Sequence, residues 1–567
     1  MTTAETSPEK NATAPALRAG WVVLICATLY ACYFSHLGAI GFLGPDEPRY
    51  ASVARGMAES RDWITPRLYG KPWFEKPPLY YWGAALSFKL FGVSEAAARL
   101  PSALCALLAT LALAWLAWRL YSAEIARWLL LLLPTTVAMI GFSHAAAPDM
   151  PFSAMLTITM VFAGVLVRLV PSNHLRSSWS FTSFASPISF TSLLFGLFLG
   201  LAVLAKGPAA VILCGGGIFF WALFTKRWRD ALAVVHPAAI AAFAITALPW
   251  YILCALRSPD FFGIFIVEHN FKRYLTPEFQ HIQPFWFYFP IVLVAVLPWT
   301  LLLLPTAREL ARSFQDRLGV GANGIFLATW SIFPCLFFSF SQSKLPGYIL
   351  PAIPPLMLLC VSASTRLLAA NSRLTRFAFS GSALIAVATI VAAFVSSVRL
   401  RGLYRLMDMT EDAPLRMLVF VLGLLAGVIA AVFVLRRRPR AALFCIVTAL
   451  VAFLWSVTVA RVDSSLSSRQ TAQALAGILR PDEEVLVCDV ARSYVYGFNF
   501  YLHREVSEWG QHEPQRQALV VIGSPACWSE LNGRKYHVRT ELDFARWPVI
   551  EVEGPSPATL PLRRQSQ

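Results

Sequence analysis

Long apolar runs, separated by short polar segments, recur along the chain from Trp21 to about position 463. Each run is roughly 20 residues long, the length that an α-helix needs to cross the hydrocarbon core of a bilayer. The pattern predicts about 13 transmembrane helices. They are expected at positions 21–41, 99–118, 128–147, 151–167, 190–205, 208–224, 232–254, 285–305, 323–341, 351–365, 377–397, 416–435 and 441–461.

Composition supports the same fold class. Of the 567 residues, 57% are hydrophobic and 14% are charged, and the mean hydropathy is +0.58. Soluble domains carry about 25% charged residues, so this chain is predicted to be a polytopic α-helical membrane protein. The first apolar run follows a polar stretch and has no small-residue cleavage site after it. We therefore interpret it as an anchor and not as a removed signal peptide.

The basic residues between the runs predict the orientation, because short loops rich in lysine and arginine stay on the cytoplasmic side. With the N-terminus inside, every second connection is cytoplasmic and carries at least two basic residues. Much of the net charge of +16 is then an orientation signal. Nucleic-acid binding would need a basic soluble domain, and the sequence contains none. An odd number of spans places the C-terminal segment outside.

These patterns divide the chain into four parts. We expect a disordered cytoplasmic N-terminus at 1–18, a transmembrane domain at 19–463 with a first external loop at about 42–98, a small extracytoplasmic α/β domain at 464–555, and a disordered tail at 556–567. The runs "EEVLVCDV" and "RQALVVIG" predict buried strands in the third part. A disulfide between Cys488 and Cys527 is possible there.

The unusual polar residues lie at the predicted external ends of the helices. They occur in "DEPRY" from Asp46, "FEKPP" from Phe74, "SHAAAPDM" from Ser143, "AKGP" from Ala205, "VEHNFKRY" from Val267 and "SKLPGYILP" from Ser343. Charged side chains that recur at one membrane face, on separate connections, are typical of a functional site. We expect them to converge in one cavity at the outer boundary of the bilayer.

The first external loop supplies two clusters. Asp46, with Arg49 and Tyr50 beside it, could accept a proton from a nucleophile or stabilise positive charge on a sugar. The alternative for Asp46 is a helix N-cap. Glu75 and Lys76 are held by the two prolines that follow them, which suits Lys76 to a phosphate and Glu75 to a cation, a sugar hydroxyl or a metal. The alternative for this pair is an interfacial salt bridge.

The later connections add further candidates. Asp149 is either a turn cap or a site residue, and Lys206, at a predicted helix reversal, either reaches the interface or points into the site. His269 and the preceding glutamate could bind a divalent metal such as zinc together with Glu75, although they lack a metal-ligand spacing of their own. The remaining candidates for binding an anionic group and lining the cavity are Lys272, Arg273, Lys344 and Tyr348.

The run "GPDEPRYA…ARGM…DWITPRLYGKPWFEKPPLYYW", together with Asp149, "AKGP", "EHNFKRY" and "KLPGYILP", resembles the lipid-linked-sugar glycosyltransferases of the GT-C type. The likeness is greatest to the bacterial aminoarabinose transferases that modify lipid A, within the wider dolichyl-phosphate-mannose protein mannosyltransferase-like family. It extends over about the first 350 residues, and no diagnostic motif follows position 400.

The resemblance implies roles for individual residues. Asp46 and Asp149 match acidic site residues, and Arg49 and Tyr50 match the companions of the first. Lys76 matches a lysine associated with the carrier phosphate, while Glu75 and His269 match ligands of a divalent metal. Arg273 and Tyr348 match groups at the phosphate end of the cavity, although the alignment does not separate Lys272 from Arg273.

The implied reaction is transfer of a sugar from a polyprenyl-phosphate donor at the periplasmic face of the bacterial inner membrane. No nucleotide-binding loop is present, so the activated donor has to arrive within the membrane. We expect lipid A or a related envelope glycolipid as acceptor, with protein hydroxyls and cell-wall polymers left open. The other expectations are contact with membrane lipids, no nucleic acid, no required cofactor and a monomer.

Two other functions remain alternatives: a protein O-mannosyltransferase-like enzyme, and a ligase or transporter for lipid-linked polysaccharide. The second would share an external cavity rich in cations but would lack the Asp46, Glu75 and Lys76 constellation. A secondary transporter is disfavoured, because its charged residues would lie near the middle of the membrane and its two halves would repeat.

Overall fold

The structure is a computed structural model. It describes residues 9–170, 187–276, 281–315, 321–369, 372–399, 438–456, 467–480, 483–509, 517–524, 537–544 and 547–553, with isolated positions 425, 427, 429, 433, 463 and 527. The chain forms two compact units. The first comprises Met1–Ser35, Phe74–Gly83 and Arg99–Thr458, and the second comprises His36–Trp73, Ala84–Ala98 and Val459–Gln567.

Helices account for nearly all of the described chain before position 457. The α-helices are Glu9–Tyr33, Asp46–Ser60, Leu79–Phe91, Glu95–Leu120, Ala123–Leu132, Val137–Ser143, Asp149–Leu166, Pro187–Lys206, Ala209–Thr225, Trp228–Ala231, Pro237–Arg257, Arg273–Leu275, Tyr288–Ala295, Leu303–Gln315, Ala322–Ser339, Ile353–Ala369, Arg373–Arg399 and Pro439–Ser456. Short 3₁₀ segments are Leu232–Val235, Phe285–Phe287, Thr300–Leu302 and Pro346–Ala352, and Gly263–Lys272 is a π-helix.

Six helices among the described residues are long and apolar enough to cross a membrane, and two bent pairs raise this number to eight if each is one span. The six are Glu95–Leu120, Asp149–Leu166, Ile188–Lys206, Pro237–Arg257, Ala322–Ser339 and Pro346–Leu368. The predicted fold class, a multi-pass helical membrane protein, is thereby confirmed in outline. The expected span at 416–435 lies almost entirely outside the described residues, so the number 13 stays a prediction.

Two of the expected continuous spans are broken. The span expected at 128–147 is the pair Ala123–Leu132 and Val137–Ser143, bent by 63°, and the span expected at 285–305 is bent by 113°. Each break contains a proline, Pro134 or Pro298, which cannot donate the backbone hydrogen bond that a continuous helix requires. Thr136 then caps the second half of the first pair by accepting from the Met139 amide.

The first helix also departs from expectation at both ends. It begins at Glu9, within the tail expected to be disordered at 1–18, and it ends at Tyr33, eight residues before the expected end of the span. The residues that follow form turns around Gly38, because the sequence "SHLGAIGFLGP" offers glycines and a proline where a helix would need to continue. The expected disordered tail at 556–567 lies outside the described residues.

The core of the first unit contains three fully buried tryptophans, Trp221, Trp299 and Trp330. The indole of Trp221 donates to the Ala322 carbonyl at 2.9 Å, and that of Trp299 donates to Thr135 Oγ1 at 3.0 Å. Two of these large side chains thus satisfy their polar atom while filling the space between helices.

In the second unit, the helix Asp46–Ser60 is followed by a small antiparallel hairpin of β1 (Arg67–Leu68) and β2 (Lys71–Pro72), which turns at Gly70 with φ +82. The C-terminal segment adds helices Arg469–Ile478 and Arg492–Tyr501 and the strands β3 (Glu484–Cys488), β4 (Ser507–Glu508), β5 (Gln517–Ile522), β6 (His537–Phe544) and β7 (Trp547–Glu553).

These five strands form one mixed sheet in the order β4-β3-β5-β7-β6. Strand β3 is parallel to both β4 and β5, whereas β7 is antiparallel to β5 and β6. The two apolar runs predicted as strands contain β3 and β5, and both are buried because the sheet is covered by the two helices. Cys488, at the end of β3, forms a disulfide with Cys527.

A buried polar network explains why residues near position 40 belong with the C-terminal segment. The Arg469 guanidinium donates to Asp463 at 2.5 Å, to Glu95 at 3.2 Å and to the Gly38 carbonyl at 2.9 Å. The Tyr501 hydroxyl donates to Glu95 at 2.8 Å. Three segments of the second unit are therefore held together by paired charges and not by apolar contacts alone.

Candidate active site

A cavity of about 370 Å³ in the first unit has both charged and apolar walls. Six residues expected at the site line it, namely Glu75, Lys76, Lys206, His269, Arg273 and Tyr348. The other lining residues are mainly apolar or aromatic and include Ile212, Phe271, Leu275, Phe337 and Phe338. Such a lining suits a ligand with an anionic group and a long apolar part.

The segment that carries Glu75 and Lys76 is fixed on both sides. Phe74 packs edge-on against Phe261 with ring centroids 5.1 Å apart, and two prolines precede the helix Leu79–Phe91. Lys76 Nζ lies 3.4 Å from Glu75 Oε1, and Arg273 Nη1 lies 3.7 Å from the same oxygen. One carboxylate therefore sits between two cations that come from distant parts of the sequence.

The electrostatics of Lys76 are unusual for a lysine. Burial lowers its pKa from 10.5 to about 8; Glu75 opposes this shift, whereas Arg273 and Lys206 add to it. A lysine with such a pKa gains or loses its proton near neutral pH. A phosphate beside it would favour the charged form.

Asp149 and Lys206 form the second charged pair. Asp149 is the first residue of its helix, and Lys206 is the last residue of the helix Pro187–Lys206. The chain then reverses at Gly207, whose φ of +97 is accessible to glycine and strained for other residues, which confirms the expected helix reversal. Lys206 Nζ lies 2.5 Å from Asp149 Oδ1 and 4.8 Å from the centre of the Tyr348 ring.

His269 lines the cavity from the π-helix, and burial together with the charge of Lys76 lowers its pKa. The described residues contain no group of three or more His, Cys, Asp or Glu side chains that could hold a metal ion. Glu75, the expected partner ligand, is already flanked by two cations, and Glu268 is exposed. These donors do not fit a divalent metal, and Glu75 is better suited to balancing charge.

Two of the lysines expected at the site do not line the cavity. Lys272 is exposed and does not line the cavity, whereas Arg273 does, so the geometry separates these neighbours. Lys344 is buried, and its ammonium donates to the carbonyls of Gln283 at 2.9 Å and Ser341 at 2.6 Å. Lys344 does not line the cavity, because a carbonyl of its own turn and the carbonyl of the distant Gln283 take up the hydrogen bonds of its ammonium.

Several cavity residues were not predicted. Tyr274 donates its hydroxyl to the Phe337 carbonyl at 2.9 Å and stacks on the Phe337 ring at 4.9 Å. Ser343 also lines the cavity, and its buried hydroxyl has no hydrogen-bond partner within the described part of the chain. No signal in the sequence pointed to Phe337, because it lies in an aromatic run that resembles an ordinary membrane span. Tyr274 had a signal, since it directly follows the predicted site residue Arg273.

Asp46, Arg49 and Tyr50 belong to the second unit. Asp46 is the first residue of its helix after Pro45 and pairs with Arg49, so the N-cap interpretation does not hold. The Asp46 side chain is 52% exposed, whereas Arg49 is buried and donates from Nε to the Pro45 carbonyl at 3.0 Å. The Arg49 guanidinium also lies 5.7 Å from the centre of the Trp73 ring.

Comparison with known proteins gives the family. The profile of the dolichyl-phosphate-mannose-protein mannosyltransferase family matches residues 21–265. An undecaprenyl phosphate-alpha-4-amino-4-deoxy-L-arabinose arabinosyl transferase of Aeromonas salmonicida is 30% identical over 510 residues, which cover 89% of this chain and 87% of that protein. This chain belongs to the same arabinosyl transferase family. The resemblance found in the sequence is thereby confirmed.

A second arabinosyl transferase and a solved structure are also similar to this chain. The relative from Edwardsiella ictaluri is 32% identical over 365 residues, and the match spans 62% of its length, less than two thirds. Among solved structures, ArnT from Cupriavidus metallidurans bound to undecaprenyl phosphate is 22% identical. That comparison covers 94% of this chain and 98% of ArnT with a TM-score of 0.72, and it shows that the two proteins share a fold.

Proposed function

We propose that this protein transfers 4-amino-4-deoxy-L-arabinose from undecaprenyl phosphate to lipid A or a related envelope glycolipid. The observation that carries the proposal is the first-unit cavity, where Lys76, Lys206 and Arg273 join an otherwise largely apolar wall. The names of the arabinosyl transferase relatives supply the sugar and its carrier. The transfer takes place at the periplasmic face of the bacterial inner membrane.

In this mechanism the cavity binds the donor. Phe271, Leu275 and Phe338 contact the prenyl chain, and the three cations hold its phosphate through charge-assisted hydrogen bonds. When the bond between the anomeric carbon and the carrier phosphate oxygen breaks, its electron pair stays on that oxygen. The cations stabilise this developing charge, so the leaving phosphate needs no proton.

Within the donor site, Glu75 and Asp149 limit the excess positive charge and fix its position. Glu75 lies between Lys76 and Arg273, and Asp149 holds the Lys206 ammonium. Asp149 acts in this scheme as a positioning residue. The hydroxyl of Ser343 provides a neutral hydrogen-bond donor for a phosphate oxygen.

Asp46 serves the acceptor. A hydroxyl acceptor would give its proton to Asp46 while the hydroxyl oxygen forms the new bond to the anomeric carbon. A phosphate acceptor is already ionised and needs no base, so Asp46 then stabilises positive charge on the sugar ring.

The proposed topology has 13 spans with the N-terminus in the cytoplasm and the segment 464–555 in the periplasm. The disulfide between Cys488 and Cys527 supports this placement, because disulfides persist in the periplasm and are rare in the cytosol. The mechanism uses no metal or organic cofactor at any step, and the protein acts as a monomer among membrane lipids.

The test compares lipid A from cells that lack the gene and from cells that carry the wild-type, Asp46→Asn or Glu59→Gln form. Glu59 lies on the same helix as Asp46 and pairs with Arg55, so it is a matched control. Mass spectrometry should find the added pentosamine with the wild-type and Glu59→Gln forms only. Unmodified lipid A together with a lost protein or polysaccharide modification would overturn the proposed acceptor.

A further inference from the structure

The ring of Tyr496 lies beside two guanidinium groups in the second unit. The Cζ atoms of Arg49 and Arg492 are 5.2 Å and 5.3 Å from its centre. Arg492 also donates from Nη2 to the Tyr496 hydroxyl at 2.9 Å. Arg49 comes from the helix Asp46–Ser60, whereas Arg492 and Tyr496 come from the helix Arg492–Tyr501. The C-terminal segment thus contributes side chains to the surroundings of Asp46.

The two arginines differ in their charge balance. Arg49 is buried and paired with Asp46. Arg492 is exposed, and within the described part of the chain its side chain contacts Tyr496 and no carboxylate. Asp46 balances the charge of Arg49, whereas Arg492 has no such partner among the described residues, so an anion close to Arg492 would be attracted to its charge. The planar guanidinium fits a phosphate with two parallel hydrogen bonds.

An ionised acceptor meets a difficulty at Asp46. Its carboxylate is 52% exposed and would repel a phosphate that comes close to it. The ion pair with Arg49 makes the Asp46 position nearly neutral but provides no attraction. A further cation is needed to draw the acceptor in, and Arg492 is joined to this pair through the Tyr496 ring.

We infer that Arg492 and Tyr496 form a binding site for the phosphate monoester of the acceptor glycolipid. The inference rests on the proposed function and adds to it the residues that recognise the acceptor. Arg492 binds the phosphate oxygens, and the Tyr496 ring orients the guanidinium and offers an apolar face to the adjoining sugar. Both residues bind the acceptor and take no part in breaking the donor bond.

The experiment measures binding of diphosphorylated and dephosphorylated lipid A to the full-length protein in nanodiscs. For Arg492→Gln we expect affinity for the diphosphorylated form to fall about tenfold, the effect of losing one charge-assisted contact, with affinity for the dephosphorylated form unchanged. Arg492→Lys should restore part of the loss. Undecaprenyl phosphate should bind every variant as it binds the wild type.

Arg67→Gln is the matched control. Arg67 is also exposed in the second unit, but its backbone packs near Gly56, roughly 15 Å along the helix from Asp46. Tyr496→Phe keeps the ring and loses the hydroxyl that accepts from Arg492, so it tests the pair without removing bulk. We expect it to weaken binding of the phosphorylated acceptor less than Arg492→Gln does.

The possible failures can be told apart. If wild-type protein binds undecaprenyl phosphate but no form of lipid A, the proposed acceptor and this site are both wrong. Suppose instead that the wild-type protein binds lipid A and that Arg492→Gln binds the diphosphorylated and the dephosphorylated forms with the affinities of the wild type. The inferred phosphate site is then wrong, and the proposed function stands. Saturable binding of inorganic phosphate as tight as that of lipid A would show a site for free phosphate and would also overturn the inference.

Discussion

Lys206 Nζ lies 2.5 Å from Asp149 Oδ1, and this contact joins the end of one helix to the start of another. The ammonium also faces the ring of Tyr348 at 4.8 Å. A single lysine is thus held by a carboxylate and an aromatic face, with its remaining hydrogen-bond capacity directed to the cavity that it lines. Its position depends more on these partners than on its own flexible chain.

We predict that Asp149→Asn weakens undecaprenyl phosphate binding by misplacing Lys206 and lowers stability. Removing one partner of a buried pair typically costs about 3–5 kcal/mol, and a smaller loss is expected here because Asp149 is 22% exposed. Binding should be measured for Asp149→Asn, Lys206→Met and the double variant, whose effects should not add. Asp230→Asn, which removes the 21% exposed partner of Arg227, is the control. Additive effects would contradict the positioning role.

Gly347 approaches the same carboxylate. A Cβ atom at Gly347 would lie 2.8 Å from Asp149 Oδ1 and 3.0 Å from Phe142, so an added methyl group has to displace Asp149. We predict that Gly347→Ala lowers the transfer rate at least tenfold while the protein still inserts and folds. Gly215→Ala, where a Cβ meets nothing within 4 Å, should keep full activity. Equal rates for both variants would show that Asp149 tolerates displacement.

Much of the first-unit site could be predicted from sequence because its charged residues stand out against apolar surroundings. Lys76, Lys206 and Arg273 were all recognised this way, and they line one cavity. Lys344 shows the limit of this reasoning. Its charge was equally conspicuous. The carbonyls of Gln283 and Ser341 that accept its hydrogen bonds, however, can be identified only in the folded chain.

The fold was likewise predictable only in part. The length of the apolar runs predicted the helices, but it could not show that the runs containing Pro134 and Pro298 are bent pairs, because their hydrophobicity is continuous. The network of Arg469 with Glu95 joins residues 374 positions apart, and no local pattern indicates such a contact. Tyr496 was missed for the same reason, since its partner Arg49 is distant in sequence.

Lys344 provides a contrast to the cations that we propose bind the donor phosphate. We predict that Lys344→Met lowers the thermal stability of the protein, because the buried Ser341 carbonyl loses its donor, at a cost of about 1–3 kcal/mol, and the part-buried Gln283 carbonyl loses its donor at a smaller cost. Its effect on undecaprenyl phosphate affinity, measured on the folded fraction, should be smaller than that of Lys76→Met. Lys89→Met, which removes an exposed lysine and its contact with the Trp63 ring but no hydrogen bond to a buried carbonyl, is the control. If Lys344→Met keeps its stability but loses affinity for undecaprenyl phosphate, Lys344 contacts the donor and does not serve the fold alone.

The low pKa of Lys76 predicts how donor binding depends on pH. In the free site, burial holds this pKa at about 8, and a bound phosphate raises it by favouring the charged amine, so binding above pH 8 requires proton uptake. Below about pH 7 Lys76 is almost fully protonated and its contribution is constant. Between about pH 7 and pH 9 the protonated fraction falls about tenfold, and affinity for undecaprenyl phosphate should fall by a similar factor.

The bound phosphate and His269 do not obscure this window. A phosphate monoester loses its second proton near pH 6, and the pKa of His269 is lowered from its ordinary value of 6.5, so both titrate below it. Lys76→Arg keeps the positive charge at every pH tested, because a guanidinium does not lose its proton in proteins. Affinity measured from pH 7 to pH 9 should therefore decline for the wild type and stay level for Lys76→Arg. Parallel declines in the two proteins would assign the titration to another group and remove Lys76 from the phosphate contact.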